Sequence, residues 1–129
     1  MAEQLLMDAE ALQQIATMLK AIADPNRLQI MNIIMEGETC NCELIDRLGL
    51  PANLLSHHLR VLKKAGLVTS RRDELDRRWI YYRANKDAVT QWHQWCSQFL
   101  NPDRIQNRKK LCGPEGQLTP VDPTHLVIE

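Results

Sequence analysis

The sequence has no net charge: 16 Lys and Arg balance 16 Asp and Glu over 129 residues. A nucleic-acid binder usually carries a basic excess, so the balance counts at first sight against a polyanion partner. No apolar run approaches the roughly 18 residues of a membrane span, and no membrane partner is expected. Met1 to Asp8 lacks the basic stretch of a signal peptide, so a cytoplasmic location is the expectation. No nucleophile–base constellation and no phosphate loop occurs, which argues against an enzyme. No internal repeat is visible. What is present is ordinary globular chain, 44% hydrophobic and 25% charged. It is long enough for one core without metal or disulfide support.

The charge balance conceals a partition. Residues 1–59 hold three cations and eight anions, whereas residues 60–110 hold 13 cations and five anions. Residues 111–129 hold three anions and no cation. Screening confines attraction to about a Debye length, so a local basic block matters more to a polyanion than the sum.

The hydrophobic pattern predicts five helices with a β-hairpin between the fourth and fifth. Leu5, Ala9, Leu12, Ala16 and Leu19 follow the helical period over residues 4–23. Asp24-Pro25 opens a second helix, with Asp24 as cap and Pro25 where no N–H is needed. It carries Leu28, Met31, Ile34 and Met35 and stops by Gly37. A third helix begins between Thr39 and Cys42 and ends at Gly49; a fourth runs from Pro51 to Ala65. The short Gly49-Leu50-Pro51 link makes these two a helix-turn-helix. Residues 67–70 and 78–82 are rich in β-branched and aromatic side chains and read as strands around an Asp73–Asp76 turn. A last helix spans about 86–100, with Ala88, Trp92, Trp95 and Phe99 on one stripe. Residues 103–110 suit a short basic helix. The chain thus reads as one domain over 1–110 and a Pro- and Gly-bearing flexible tail over 111–129.

The fourth helix carries the first functional signal. Advancing about 100° per residue, Asn53, Ser56, His57, Arg60 and Lys64 share an arc of about 100°. Leu55, Leu59 and Leu62 fall on the opposite side, and His58 falls among them, so His58 is expected to pack or be hydrogen-bonded. The polar arc contains no acid. Short hydrogen bonders early and cations later suit a helix laid in the major groove of double-stranded DNA. The hairpin adds Arg71, Arg72, Arg77 and Arg78 near its turn.

Four segments together resemble the ArsR/SmtB family of winged-helix repressors. They are Ala23–Leu28, Ser56–Leu62, Lys64–Val68 and Arg78–Tyr82. The resemblance implies a homodimer, joined through the first and last helices, that binds a palindromic operator and is released by an inducer. It matches Ser56 and His57 to recognition-helix contacts and the hairpin arginines to the wing. Trp92 and Trp95 are then interface or core residues.

The cysteines are Cys40, Cys42, Cys96 and Cys112. None forms C-x-x-C, which disfavours thioredoxin-like and zinc-ribbon sites. On a regular helix Cys40 and Cys42 would point about 200° apart and could not share an ion. On extended or frayed chain they lie on one side. Joint ligation would therefore require a loose first turn. Glu38–Leu44 resembles the family's arsenic- and cadmium/lead-sensing motif, in which two cysteines one residue apart hold the inducer. That resemblance implies Cys40 and Cys42 as ligands for trivalent arsenic or antimony, with cadmium or lead as other soft candidates. Some relatives have a third cysteine where this chain has Ile45, so a third ligand falls to Cys112, with Cys96 the alternative. Relatives that sense zinc or nickel on the last helix use Asp-x-His; Asp87 is followed by Val89 two places on, and that site does not carry over. Two other readings stay open. One is a repressor switched by a disulfide from Cys40 or Cys42 to another cysteine. The other is an interaction module with a cysteine-bound structural zinc.

Overall fold

The computed structural model describes residues 8–116. Residues 4–7 of the expected first helix and most of the expected tail lie outside them. Helix α1 spans Ala9–Ile22, and the Asp8 carboxylate accepts from the Glu10 N–H at 2.9 Å. Helix α2 spans Pro25–Ile34. The Asp24 carboxylate accepts from the Asn26 and Arg27 N–H groups at 2.9 and 3.2 Å. The Arg27 bond, above all, holds the Asp24 carboxyl below its ordinary pKa. Strand β1 is only Thr39–Cys40, and α3 follows at once as Asn41–Leu48. Gly49, left-handed at φ 65°, ends α3 and turns the chain toward α4, Ala52–Lys64. Strands β2 (Val68–Arg72) and β3 (Ile80–Ala84) form the hairpin, and α5 spans Lys86–Phe99.

The sheet has three antiparallel strands in the order β1-β3-β2, not the two expected. Thr39 pairs with Tyr82 and Cys40 with Tyr81. Two residues are too few to show an alternating pattern, so β1 leaves no periodic signal. The second hairpin strand lies two residues later than expected, and the first starts one residue later and ends two later. Asp73 explains the offset: its carboxylate accepts from the Leu75 and Asp76 N–H groups, and its own N–H donates to the Trp79 carbonyl. The loop therefore extends to Trp79. The architecture is a winged helix-turn-helix, with α3 and α4 as the helix pair and β2–β3 as the wing.

Ile30, Ile33 and Ile34 of α2 meet Leu44 of α3, Leu55, Leu59 and Leu62 of α4, and Leu67 and Val68. Burying such side chains contributes roughly 1.5–3 kcal/mol each, which is what clamps α4 by one face. The chain divides after Phe99 into two compact units. In the second, Pro102–Arg104 forms one 3-10 turn capped by Asn101, and residues 105–110 form no helix. Eight residues without a packed face cannot offset the cost of helix nucleation.

A buried polar contact joins α1, α2 and α4 in a way periodicity does not reveal. His58 is 5% exposed, and its Nδ1 lies 3.1 Å from an Arg27 terminal nitrogen. Arg27 always donates, so Nδ1 is the acceptor and Nε2 carries the proton. The Arg27 Nε also donates to the Ala21 carbonyl, and its other terminal nitrogen to the Lys20 carbonyl. One guanidinium thus ties the end of α1 to α4. Arg27→Ala leaves these acceptors unmatched and should cost about 1–3 kcal/mol in a urea melt. An unchanged midpoint and slope would show that the contact contributes nothing.

Candidate DNA-binding surface and thiol site

Asn53, Ser56, His57, Arg60 and Lys64 all stand exposed on α4, while His58 faces inward with the leucines. Arg60 and Lys64 border an open cleft of about 540 Å³, with Ser56, Lys63 and Tyr82 on its other sides. Lys63 also reaches the wing, donating to Ser70 Oγ at 2.8 Å. The arc read from the sequence omits Lys63, because it lies off that arc and only tertiary packing turns it toward β2. Pro51 supplies no side-chain cap, so the first-turn N–H groups of α4 point outward beside Asn53.

The wing arginines differ in their freedom. Arg71 donates to both carboxylate oxygens of Glu38, at 2.7 and 3.0 Å, and its guanidinium lies 4.6 Å over the Tyr81 ring. Arg78 grips Asp76 in the same two-pronged way, and Arg72 donates to the Arg77 carbonyl. Each ion pair stabilises the charged form of both partners: Glu38 and Asp76 are held below the ordinary carboxylate pKa by their arginines. All four arginines remain exposed.

Cys40 and Cys42 meet beside this wing. Cys40 is the last extended residue, at φ −87° and ψ 159°, and serves as the cap of α3. Its sulfur accepts from the Glu43 N–H at 3.3 Å, while Thr39 Oγ1 donates to the Glu43 carboxylate at 2.8 Å. Cys42 lies in the first helical turn. The change from extended to helical backbone puts both sulfurs on one side, and a disulfide joins them, with Cα atoms 5.3 Å apart. The two sulfurs meet in this bond with α3 intact, because only one of the two cysteines is helical. Cys40 is half-buried, whereas Cys42 is exposed and borders a cleft of about 360 Å³ with Asn41, Arg78 and Trp79. Cys96 on α5 is half-buried and Cys112 is exposed in the second unit; both are free thiols. Among the described residues no three His, Cys, Asp or Glu side chains gather as a metal site would require.

Helices α1 and α5 contribute little to the core. Only Ala21 of α1 and no residue of α5 is fully buried. Between them lies a cavity of about 520 Å³, bordered by Ile15, Met18, Trp92 and Trp95 and by the glutamines at 14, 91, 94 and 98. The indole N–H groups of Trp92 and Trp95 are buried and have no hydrogen-bond partner among the described residues. Trp95 stacks on Phe99 at 4.5 Å, and Leu12 and Leu19 stay exposed.

Residues 24–70 match the bacterial regulatory protein, arsR family. An uncharacterised helix-turn-helix transcriptional regulator, MJ1325 of Methanocaldococcus jannaschii, is 40% identical over 62% of this chain and 88% of its own. The arsenical resistance operon repressor of Staphylococcus aureus is 36% identical over 78% of this chain and 89% of its own. Among solved structures, the homodimeric winged helix-turn-helix DNA-binding domain Mb0332 of Mycobacterium bovis superposes with a TM-score of 0.59. It is 27% identical, over 79% of this chain and 91% of its own.

The Glu38–Arg71 pair fixes the wing to the residue that leads into β1. Its pKa is lowered from the ordinary 4.5, so its contribution is complete above that value and is lost as pH falls through the depressed value. Glu38→Gln should therefore lower the melting temperature modestly at neutral pH. The difference from wild type should close only below pH 4.5. Asp24 and Asp76 titrate alike in both proteins and cancel. A gap that closes above the ordinary value would refute the assignment.

Proposed function

The chain belongs to the arsR family of bacterial regulatory proteins, and from that premise we propose a homodimeric operator-binding repressor released by a soft, thiophilic inducer at Cys40 and Cys42. That it is a DNA-binding transcriptional repressor, not an enzyme, follows from the family. The inducer is trivalent arsenic as arsenite, or its antimony counterpart; cadmium and lead share the preference for thiolates. The observation that carries this reading is the meeting of two sulfurs on one side of an intact α3, with Cys42 open to solvent. The arsenical resistance repressor of Staphylococcus aureus supports the same inducer class. Cys112 is the proposed third thiolate and Cys96 its alternative.

Asn53, Ser56 and His57 are proposed to face base edges, with Arg60 and Lys64 on phosphates. Arg72, Arg77 and Arg78 extend the contact through the wing, and Arg71 holds the wing to Glu38. A second copy covers the α1–α5 face, whose exposed Leu12 and Leu19 support a protein partner there. No helix among the described residues is long and apolar enough to cross a membrane. The proposed location is the cytoplasm, where thiols stay reduced and able to ligate.

Release requires that the inducer bind the DNA-free form more tightly than the bound form. Arsenite should therefore dissociate reduced wild type from its operator. The double variant Cys40→Ser, Cys42→Ser should bind the operator as wild type does and ignore arsenite. Equal arsenite affinity for free and operator-bound protein would defeat the mechanism. Single Cys96→Ser and Cys112→Ser variants identify the third ligand by which one loses the response. For the surface itself, Arg60→Ala should weaken binding to all sequences and reduce the slope of log affinity against log salt by about 1. An unchanged slope would remove Arg60 from the phosphate contacts.

A further inference from the structure

We propose that Cys40 and Cys42 are a site of reversible oxidative modification whose closure makes the repressor blind to its inducer while leaving it on DNA. The loss of response rests on the inducer site proposed above; the closure itself does not.

Three observations carry it. First, the pair closes on itself without distorting its surroundings. The Cα atoms stand 5.3 Å apart, within the span that disulfides occupy, and the bond coexists with an intact α3. Second, the two sulfurs are unequal. Cys42 is exposed beside an open cleft, so an oxidant reaches it; Cys40 is half-buried and held by the Glu43 N–H, so it is placed to resolve. A thiolate there also gains from the positive end of α3. Third, the disulfide state retains what the operator contact needs. Cys40 stays paired with Tyr81, Arg71 stays on Glu38 and Tyr81, and the α4 face stays exposed.

The oxidant class is a hydroperoxide. The Cys42 thiolate attacks the peroxide oxygen, the O–O bond breaks, and hydrogen peroxide leaves Cys42 as a sulfenic acid with release of hydroxide. The Cys40 thiolate then attacks the Cys42 sulfur; the S–S bond forms, the S–O bond breaks, and a second hydroxide departs. Both hydroxides take up the protons of the two thiols and become water. The protein pair loses two electrons and the peroxide gains two. An added dithiol reverses the change by exchange. With both sulfurs in one bond, neither is a thiolate, and a soft ion keeps at most the proposed third thiolate, one donor instead of three.

Full-length protein is treated with hydrogen peroxide, and its thiols are then mapped by alkylation and mass spectrometry. The expected product has lost two hydrogens, with Cys40 and Cys42 in one peptide-internal disulfide and Cys96 and Cys112 still alkylated. Cys40→Ser should instead accumulate a dimedone-reactive sulfenic acid at Cys42. Oxidised wild type should keep its operator affinity and lose release by arsenite, and dithiothreitol should restore that release. A disulfide to Cys96 or Cys112 overturns the proposal. So does release from DNA by peroxide alone, or an undiminished arsenite response in protein shown by mapping to be closed. If reduced protein ignores arsenite, the inducer reading and the claimed loss of response fall together, and the thiol map separately decides whether the pair closes.

Discussion

The change from extended to helical backbone between Cys40 and Asn41 is the constraint on which the other features rest. An extended Cys40 can pair with Tyr81 in the sheet and, at the same residue, cap α3 through its sulfur. Sulfur is a weaker acceptor than the oxygen of Ser, Thr, Asp or Asn, the residues that usually fill this position. The chain therefore accepts a weaker helix start where it places its reactive pair. Thr39 and Glu43 add a side-chain hydrogen bond across the same helix start. A sequence chosen for helix stability alone would have put an oxygen at position 40.

Much of the fold was legible because it rests on periodicity and on punctuation. The α4 face follows from a 3.6-residue period, and the starts of α2 and α4 follow from Asp24-Pro25 and Gly49-Leu50-Pro51. What was not legible depends on partners distant in sequence. Strand β1 exists because Tyr81 and Tyr82 are there to pair with it, and two residues carry no pattern of their own. The placing of His58 inward could be read, but not that Arg27, 31 residues earlier, would meet it. The cysteine pair was read incompletely for the same reason. Treating both cysteines as helical or both as extended omits the boundary that runs between them.

The charge partition also takes a narrower meaning. The 13 cations of residues 60–110 are not 13 free charges. Arg71 and Arg78 are paired with acids, and Arg72 and Lys63 brace the wing internally. Exposed pairs of this kind add little stability, but they set where each guanidinium sits. Arg60 and Lys64 make no such contacts among the described residues. The surface proposed for a phosphate backbone is thus a strip along α4, continued by exposed wing arginines whose positions the wing's own contacts set.

That arrangement gives the thiol site a short mechanical path to the DNA surface. A soft ion held by both sulfurs must sit between them, so the reduced pair has to open where the disulfide keeps it closed. Cys42 is fixed in the first turn of α3, which is anchored in the core by Leu44. Cys40 is held by fewer constraints: one strand pairing and one sulfur hydrogen bond. Displacement should therefore fall on Cys40, and it passes to Tyr81 across the sheet and to Glu38 along the chain. Those are the two groups that hold Arg71. The wing and the α3–α4 pair share this one junction, so an ion that opened it would act on both proposed DNA-contacting elements together. A disulfide across the same junction holds both in place.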